Sequence, residues 1–260
     1  MFDKFKKIAK EEKIITQDAA TCGNNGSCCG QACADCPCQN GGDCMAGCNS
    51  NMSCGAGCGC DDTSDYDDTN LSTNASIGEQ VDDFYLDCLY ENKIRKISLS
   101  DYYGKWVILF FYPADFTFVC PTELEDMNDY HAKFQALGAE ILSVSTDSAF
   151  AHKAWKDSSP VISKVTFPML SDPTHELAKY YNVLVEETGM ARRGTFVIDP
   201  DGVLRIVEIN DDGIGRNAKE LYRKVQAAKF VRENGANVCP AKWEPGEDVI
   251  TPSIDIVGKI

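Results

Sequence analysis

The stretch KWVILFFYPADFTFVCPTE, residues 105–123, decides the architecture. Lys105–Tyr112 is an almost unbroken apolar run of strand length, which suits a strand buried on both faces. A short loop follows, then Cys120-Pro121, with the proline suited to the first turn of a helix predicted over 121–137. The cysteine therefore falls at a helix N-terminus, where unpaired N–H groups and the helix dipole favour negative charge. A thiol so placed exists more readily as thiolate, the nucleophilic form. Thr117, one turn before Cys120, can offer its hydroxyl to the sulfur and to an oxygen of a bound substrate. Pro113 would shield the sulfur from bulk water and shape one side of the pocket. An isolated cysteine in such a domain is otherwise most often a small buried hydrophobe.

Working outward, strands are predicted at 84–89, 140–145, 194–198 and 203–209, with the edge of a short one at 168–170. Helices are predicted at 148–156, 175–181 and 219–234. Asp199-Pro-Asp-Gly202 separates two strand patterns and is a strong hairpin signal. Strands alternating with helices, closed by an antiparallel hairpin, give an α/β fold with a mixed sheet covered by helices. A thioredoxin-like fold fits that pattern, as do other three-layer α/β folds. The domain runs over 77–260, long enough for one core. Cys88 reads as an inert core residue. His131, His152 and His175 share no metal-ligand spacing; His152 and Trp155 lie on one helix face and are expected to pack, with no catalytic part.

The 105–123 stretch, with RRGTFVIDPDG (192–202), VCPAKWEPGE (238–247) and PSIDIVGKI (252–260), resembles the peroxiredoxins over nearly all of 77–260. Their signature Pro-x-x-x-Thr-x-x-Cys is met by Pro113, Thr117 and Cys120, and the ending looks like bacterial alkyl hydroperoxide reductase C-type enzymes of the typical 2-Cys class. The resemblance implies a thiol peroxidase, an antioxidant oxidoreductase with no cofactor in its own site. Cys120 would attack the O–O bond of hydrogen peroxide or an alkyl hydroperoxide and become sulfenic acid. Arg193 matches the family's active-site arginine, with Glu123 orienting it and Arg192 left at the surface. Cys239 would be the resolving cysteine, condensing with Cys120 of the other subunit to a disulfide. The family expectation is a homodimer, five dimers to a ring, reduced by a flavoprotein disulfide reductase or a thioredoxin-like protein. Where peroxide-sensitive members carry Gly-Gly-Leu-Gly, this chain has Asp157-Ser-Ser-Pro-Val-Ile-Ser-Lys164, and it lacks their C-terminal Tyr-Phe helix. That predicts the robust type, resistant to sulfinic acid formation.

Nothing in that family resemblance covers the first 76 residues. Residues 1–15 place Phe2, Phe5, Ile8, Ala9 and Ile15 at helical spacing, predicting a short amphipathic helix. Residues 16–60 hold eleven of the 14 cysteines: Cys22, Cys28, Cys29, Cys33, Cys36, Cys38, Cys44, Cys48, Cys54, Cys58 and Cys60. No Val, Ile, Leu, Phe, Trp or Tyr occurs between Thr16 and Asp65, so burial cannot offset an ordering cost of roughly 1–2 kcal/mol per residue. Nine glycines and no histidine accompany the thiols. Three readings compete: sulfur-only ligation of Zn²⁺, Cu(I) or an Fe–S cluster; a redox tail in which Cys33-Ala-Asp-Cys36 relays electrons to the 120–239 pair; and a thiol-rich tail of no fixed role. Residues 61–76 read as an acidic linker.

Composition narrows the function classes. The formal charge of −15 argues against nucleic acid as the main partner. No run of about 18 apolar residues predicts a membrane span, and the N-terminus lacks a secretory signal's apolar core, so a cytoplasmic location is expected. Besides the peroxidase, two other classes fit: a metal-sequestering or redox-sensing Cys-rich protein on an oligomeric scaffold, and a holdase chaperone.

Overall fold

The computed structural model describes residues 74–259. The expectations for 1–15 and 16–60, and for all but the end of 61–76, lie outside the described residues. The N–H of Ala75 donates to the Tyr180 carbonyl at 2.9 Å.

β1 (Tyr85–Tyr90) and β2 (Lys93–Ser98) form a hairpin. β3 (Trp106–Phe111) leads through a loop into α1 (Cys120–Ala136) and β4 (Ala139–Ser145). α2 (Ala149–Ser158), β5 (Met169–Ser171) and α3 (Glu176–Tyr180) follow, then a small separate hairpin of β6 (Leu184–Val185) and β7 (Met190–Ala191). β8 (Arg193–Ile198), β9 (Leu204–Asn210) and α4 (Ala218–Glu233) complete the elements. The seven-stranded sheet has the order β2-β1-β5-β4-β3-β8-β9. β3, β4 and β5 are parallel, whereas β8 pairs antiparallel with β3, and β1 with β5. It is the mixed, helix-covered sheet expected from the sequence.

Every residue of β3 is buried, because helices cover both faces. Trp106, Ile108 and Phe110 pack with Leu124, Met127 and Phe134 of α1 and with Leu221 and Val225 of α4. Val107, Leu109 and Phe111 face the other way, toward Leu177, Ala178 and Tyr181 at α3. Each such side chain contributes roughly 1.5–3 kcal/mol by leaving water. The strand's period of two thus fixes which face α1 covers, and Cys120, opening the helix that follows β3, lies beyond that strand's C-terminal end.

The Asp199–Gly202 turn is built as the sequence implies. Gly202 takes φ +83°, and the buried Asp199 carboxylate accepts from the N–H groups of Asp201 and Val203. Three strands were not anticipated, β2 and the two-residue β6 and β7. β2 reads KIRKIS, and its charges mark an exposed edge strand. Its turn uses Glu91 and Asn92, both at positive φ, in place of the usual Asn-Gly. Among the described residues no helix is long and apolar enough to cross a membrane.

Candidate active site

Cys120 opens α1 and is 0% exposed. No side chain caps this helix end; Pro121 has no N–H, and the N–H groups of Thr122 and Glu123 donate to the Val119 carbonyl at 3.0 and 3.2 Å. Arg193, the first residue of β8 and 4% exposed, donates from Nη1 to Cys120 Sγ at 3.4 Å. The same Nη1 donates to Glu123 Oε2 at 2.6 Å, and Nε donates to the Asp212 carbonyl at 2.8 Å. The guanidinium is thereby fixed from both ends. Although burial opposes its charge, the hydrogen bonds to Cys120 and Glu123 prevail and hold its pKa above the ordinary arginine value. Arg192, one residue earlier, is exposed as expected.

Glu123 sits one turn into α1, and α1's first turn therefore places sulfur and carboxylate on one side. Burial alone would raise its pKa, but hydrogen bonds and charge from Arg216, with the charge of Arg193, hold it below the usual carboxylate value. Arg216 was not anticipated. Its Nε and Nη2 donate to Glu123 at 2.9 and 3.1 Å, and its backbone N–H donates to Oε1 at 2.9 Å. Nη1 reaches the Gly194 carbonyl at 2.8 Å and Thr195 Oγ1 at 3.1 Å, with the guanidinium 3.4 Å from the centroid of the Phe110 ring. Lying in the irregular segment before α4, it carries no local signal. Its role exists only because the fold brings residue 216 against residue 123.

The loop between β3 and α1 supplies the remaining residues. Pro113 is buried where the strand ends. Thr117 departs from expectation: its hydroxyl donates to the Ala114 carbonyl at 2.8 Å, where a bond to sulfur was anticipated. The loop turns back at Phe116, φ +57°, and this aims the hydroxyl proton at the backbone while its lone pairs stay free to accept. Phe116 and Phe118 are exposed on the outside of the loop, Phe118 by 93%.

Cys239 lies beyond α4, half-buried, in a segment pinned by the Val238–Ile250 bridge and by Trp243 against Phe230. Its Sγ is 3.9 Å from the Ala227 carbonyl, and partial burial raises its pKa against the pull of Arg223. Cys120 and Cys239 are both free thiols. Cys88 is fully buried in β1, where desolvation pushes its thiol up to about 11 and keeps it unreactive at neutral pH. His131 bonds Thr166, and His152 bonds Asp115. Among the described residues no three His, Cys, Asp or Glu side chains gather as metal ligands.

The arrangement is a buried thiol at a helix N-terminus with a braced cation against it. Similar chains carry the same domain. Residues 77–207 match the AhpC/TSA family, and residues 227–258, which include Cys239, match the C-terminal domain of 1-Cys peroxiredoxin. Alkyl hydroperoxide reductase C of Bacillus subtilis (strain 168) is 52% identical over 184 residues, 71% of this chain and 98% of that protein. The protein of the same name from Amphibacillus xylanus is 51% identical over 185 residues, again 71% and 98% of the two chains. Among solved structures, Enterococcus faecalis AhpC aligns with a TM-score of 0.62 at 49% identity, covering 64% of this chain and 99% of that one. The reduced 2-Cys peroxiredoxin of Plasmodium vivax aligns with a TM-score of 0.66 at 32% identity, covering 69% and 94%. With the braced Cys120–Arg193 pair in place on this sheet, the chain belongs to the AhpC/TSA family and is a peroxiredoxin of the alkyl hydroperoxide reductase C type, a thiol-based peroxidase.

Proposed function

We propose that Cys120 is the peroxidatic cysteine and Cys239 the resolving one. The observation that carries this is the 3.4 Å contact from Arg193 Nη1 to Cys120 Sγ at the start of α1, with Glu123 and Arg216 bracing the guanidinium. Cys120 thiolate attacks one oxygen of hydrogen peroxide or an alkyl hydroperoxide. An S–O bond forms, the O–O bond breaks, and the leaving oxygen takes a proton to depart as water or alcohol. Negative charge grows on that oxygen, where the fixed Arg193 donor lowers the barrier without reorganising. The lone pairs of Thr117 Oγ1 accept from the peroxide O–H and orient it, with Pro113 limiting the entry of water.

Cys120 sulfenic acid then condenses with the Cys239 thiol of a partner subunit, forming a disulfide and releasing water. Cys120 is fully covered in this structure, so its helical turn has to open for that step. An external dithiol donor, a flavoprotein disulfide reductase or a thioredoxin-like protein, returns the disulfide to two thiols. The homodimer, and a ring of five dimers, is the assembly this scheme needs or fits. No cofactor takes part.

Peroxide consumption with a dithiol reductant tests the assignment. Cys120→Ser abolishes it, and Cys239→Ser leaves Cys120 oxidised without the linked dimer on a non-reducing gel. If Cys120→Ser turns over at the wild-type rate, the assignment is wrong. For residues 16–60 we propose thiolate ligation of Zn²⁺, Cu(I) or an Fe–S cluster, supported by eleven cysteines among nine glycines with no histidine. Metal analysis and the absorption spectrum of protein purified without oxygen decide it; metal-free protein without absorption above the aromatic band refutes it.

A further inference from the structure

His152 on α2 is 0% exposed yet fully bonded, and the mechanism above does not use it. Its Nε2 lies 3.1 Å from the Leu170 carbonyl, which can only accept, so Nε2 carries a hydrogen. Its Nδ1 lies 2.8 Å from Oδ2 of Asp115, and a single proton is held between them. The other carboxylate oxygen, Oδ1, accepts from the Tyr112 hydroxyl at 2.8 Å. The backbone N–H of Asp115 donates to Asp147 Oδ2 at 2.8 Å. Asp115 is thus gripped through its backbone N–H and both side-chain oxygens, the two carboxylate bonds being buried and the backbone one part-buried.

Asp115 lies within the active-site loop, between the two residues that set the Thr117 hydroxyl. Ala114 supplies the carbonyl that accepts from Thr117 Oγ1, and Phe116 makes the left-handed reversal. A left-handed non-glycine residue costs free energy and persists only when its surroundings hold it. α2 supplies that hold twice, through His152 on Asp115 and through Trp155, whose ring centroid is 6.0 Å from Phe116 and 6.2 Å from Tyr112.

We propose that His152 is a positioning residue for peroxide reduction, acting through Asp115 to fix the Ala114–Phe116 backbone and with it the Thr117 hydroxyl. It touches neither sulfur nor substrate. Arg193 and the α1 terminus are held by other residues, so His152 governs how the peroxide is aligned and leaves the reactivity of the sulfur alone. This inference rests on the peroxidatic assignment of Cys120.

Two rates on the reduced full-length protein separate these effects: oxidation by hydrogen peroxide, followed by tryptophan fluorescence in stopped flow, and alkylation of Cys120 by iodoacetamide. In His152→Gln the amide nitrogen replaces Nε2 and the link to Asp115 is lost. Peroxide oxidation falls about tenfold or more, the scale expected for misplacing a positioning group, while alkylation keeps its wild-type rate. In His152→Asn the amide nitrogen replaces Nδ1, the link to Asp115 is kept, and most of the peroxide rate returns. Asp115→Ala reproduces the Gln result from the loop side. Peroxide oxidation at the wild-type rate in His152→Gln overturns the proposal, as does equal loss in the Asn and Gln variants, or alkylation that slows in step with oxidation. If wild-type Cys120 itself is not oxidised by peroxide, the peroxidase assignment falls instead, and the two failures are told apart.

Discussion

Replacing Arg216 by methionine keeps an aliphatic side chain of similar length, takes the guanidinium off the Phe110 ring and removes four side-chain hydrogen bonds, two to Glu123 and one each to Gly194 and Thr195. The side chains of Arg216 and Glu123 are 4% and 2% exposed, so the carboxylate left behind cannot turn to water. Removing one partner of such a buried pair costs about 3–5 kcal/mol, which in a domain of this size lowers Tm by roughly 6–20 °C. Glu123 would keep Arg193 and the backbone N–H of residue 216, so the domain should still fold. The looser guanidinium of Arg193 slows Cys120 oxidation by up to roughly a hundredfold.

The sign of the pH dependence follows from Glu123. Its folded pKa lies below the unfolded value of about 4.3. Its contribution is fully present above the unfolded value and is lost as pH falls through the folded one. Arg216→Met removes the main cause of that lowering, so the stability gap between the two proteins narrows below about pH 4. The assay is thermal and denaturant unfolding of wild type, Arg216→Met, Glu123→Gln and the double variant. A coupling of about 1–3 kcal/mol is expected, the double variant losing less than the sum. Strict additivity, or an Arg216→Met that melts with the wild type at pH 7, refutes the bracing role.

Two further outcomes follow from the structure. A Cβ at Gly194, next to Arg193, would lie 2.8 Å from both Phe196 Cε2 and Val183 Cγ1 in the core, so Gly194→Ala should cost about 1–3 kcal/mol by overpacking, read as a lower Tm; an unchanged melt contradicts it. Removing residues 1–73 should leave peroxide turnover with an external dithiol reductant intact, because every residue of the proposed site lies within 112–239; loss of turnover would make the extension an obligatory electron relay.

Local chemistry made much of the site legible. The apolar run of β3 and the proline after Cys120 act over a few residues, so a linear reading reaches them, while the Pro113/Thr117/Cys120 signature was carried by the family resemblance. Arg193 and Glu123 were reached through the resemblance, and geometry then joined them to the sulfur. β2 escaped because an edge strand buries almost nothing and shows little apolar alternation. Arg216 escaped because its partners are 93 residues away in Glu123 and 21 or more in β8.

The sequence by itself determined the buried strand, the helix beginning at a cysteine, the α/β alternation and a 16–65 stretch without Val, Ile, Leu, Phe, Trp or Tyr. Those depend on periodicity, turn chemistry and composition, which are local. Only the tertiary structure decided that Arg193, Glu123 and Arg216 interlock, that Thr117 donates to its own loop, and that a histidine on α2 holds that loop through Asp115. Buried polar groups must find partners wherever the fold places them, and the partner's position along the chain is not written in the neighbouring residues.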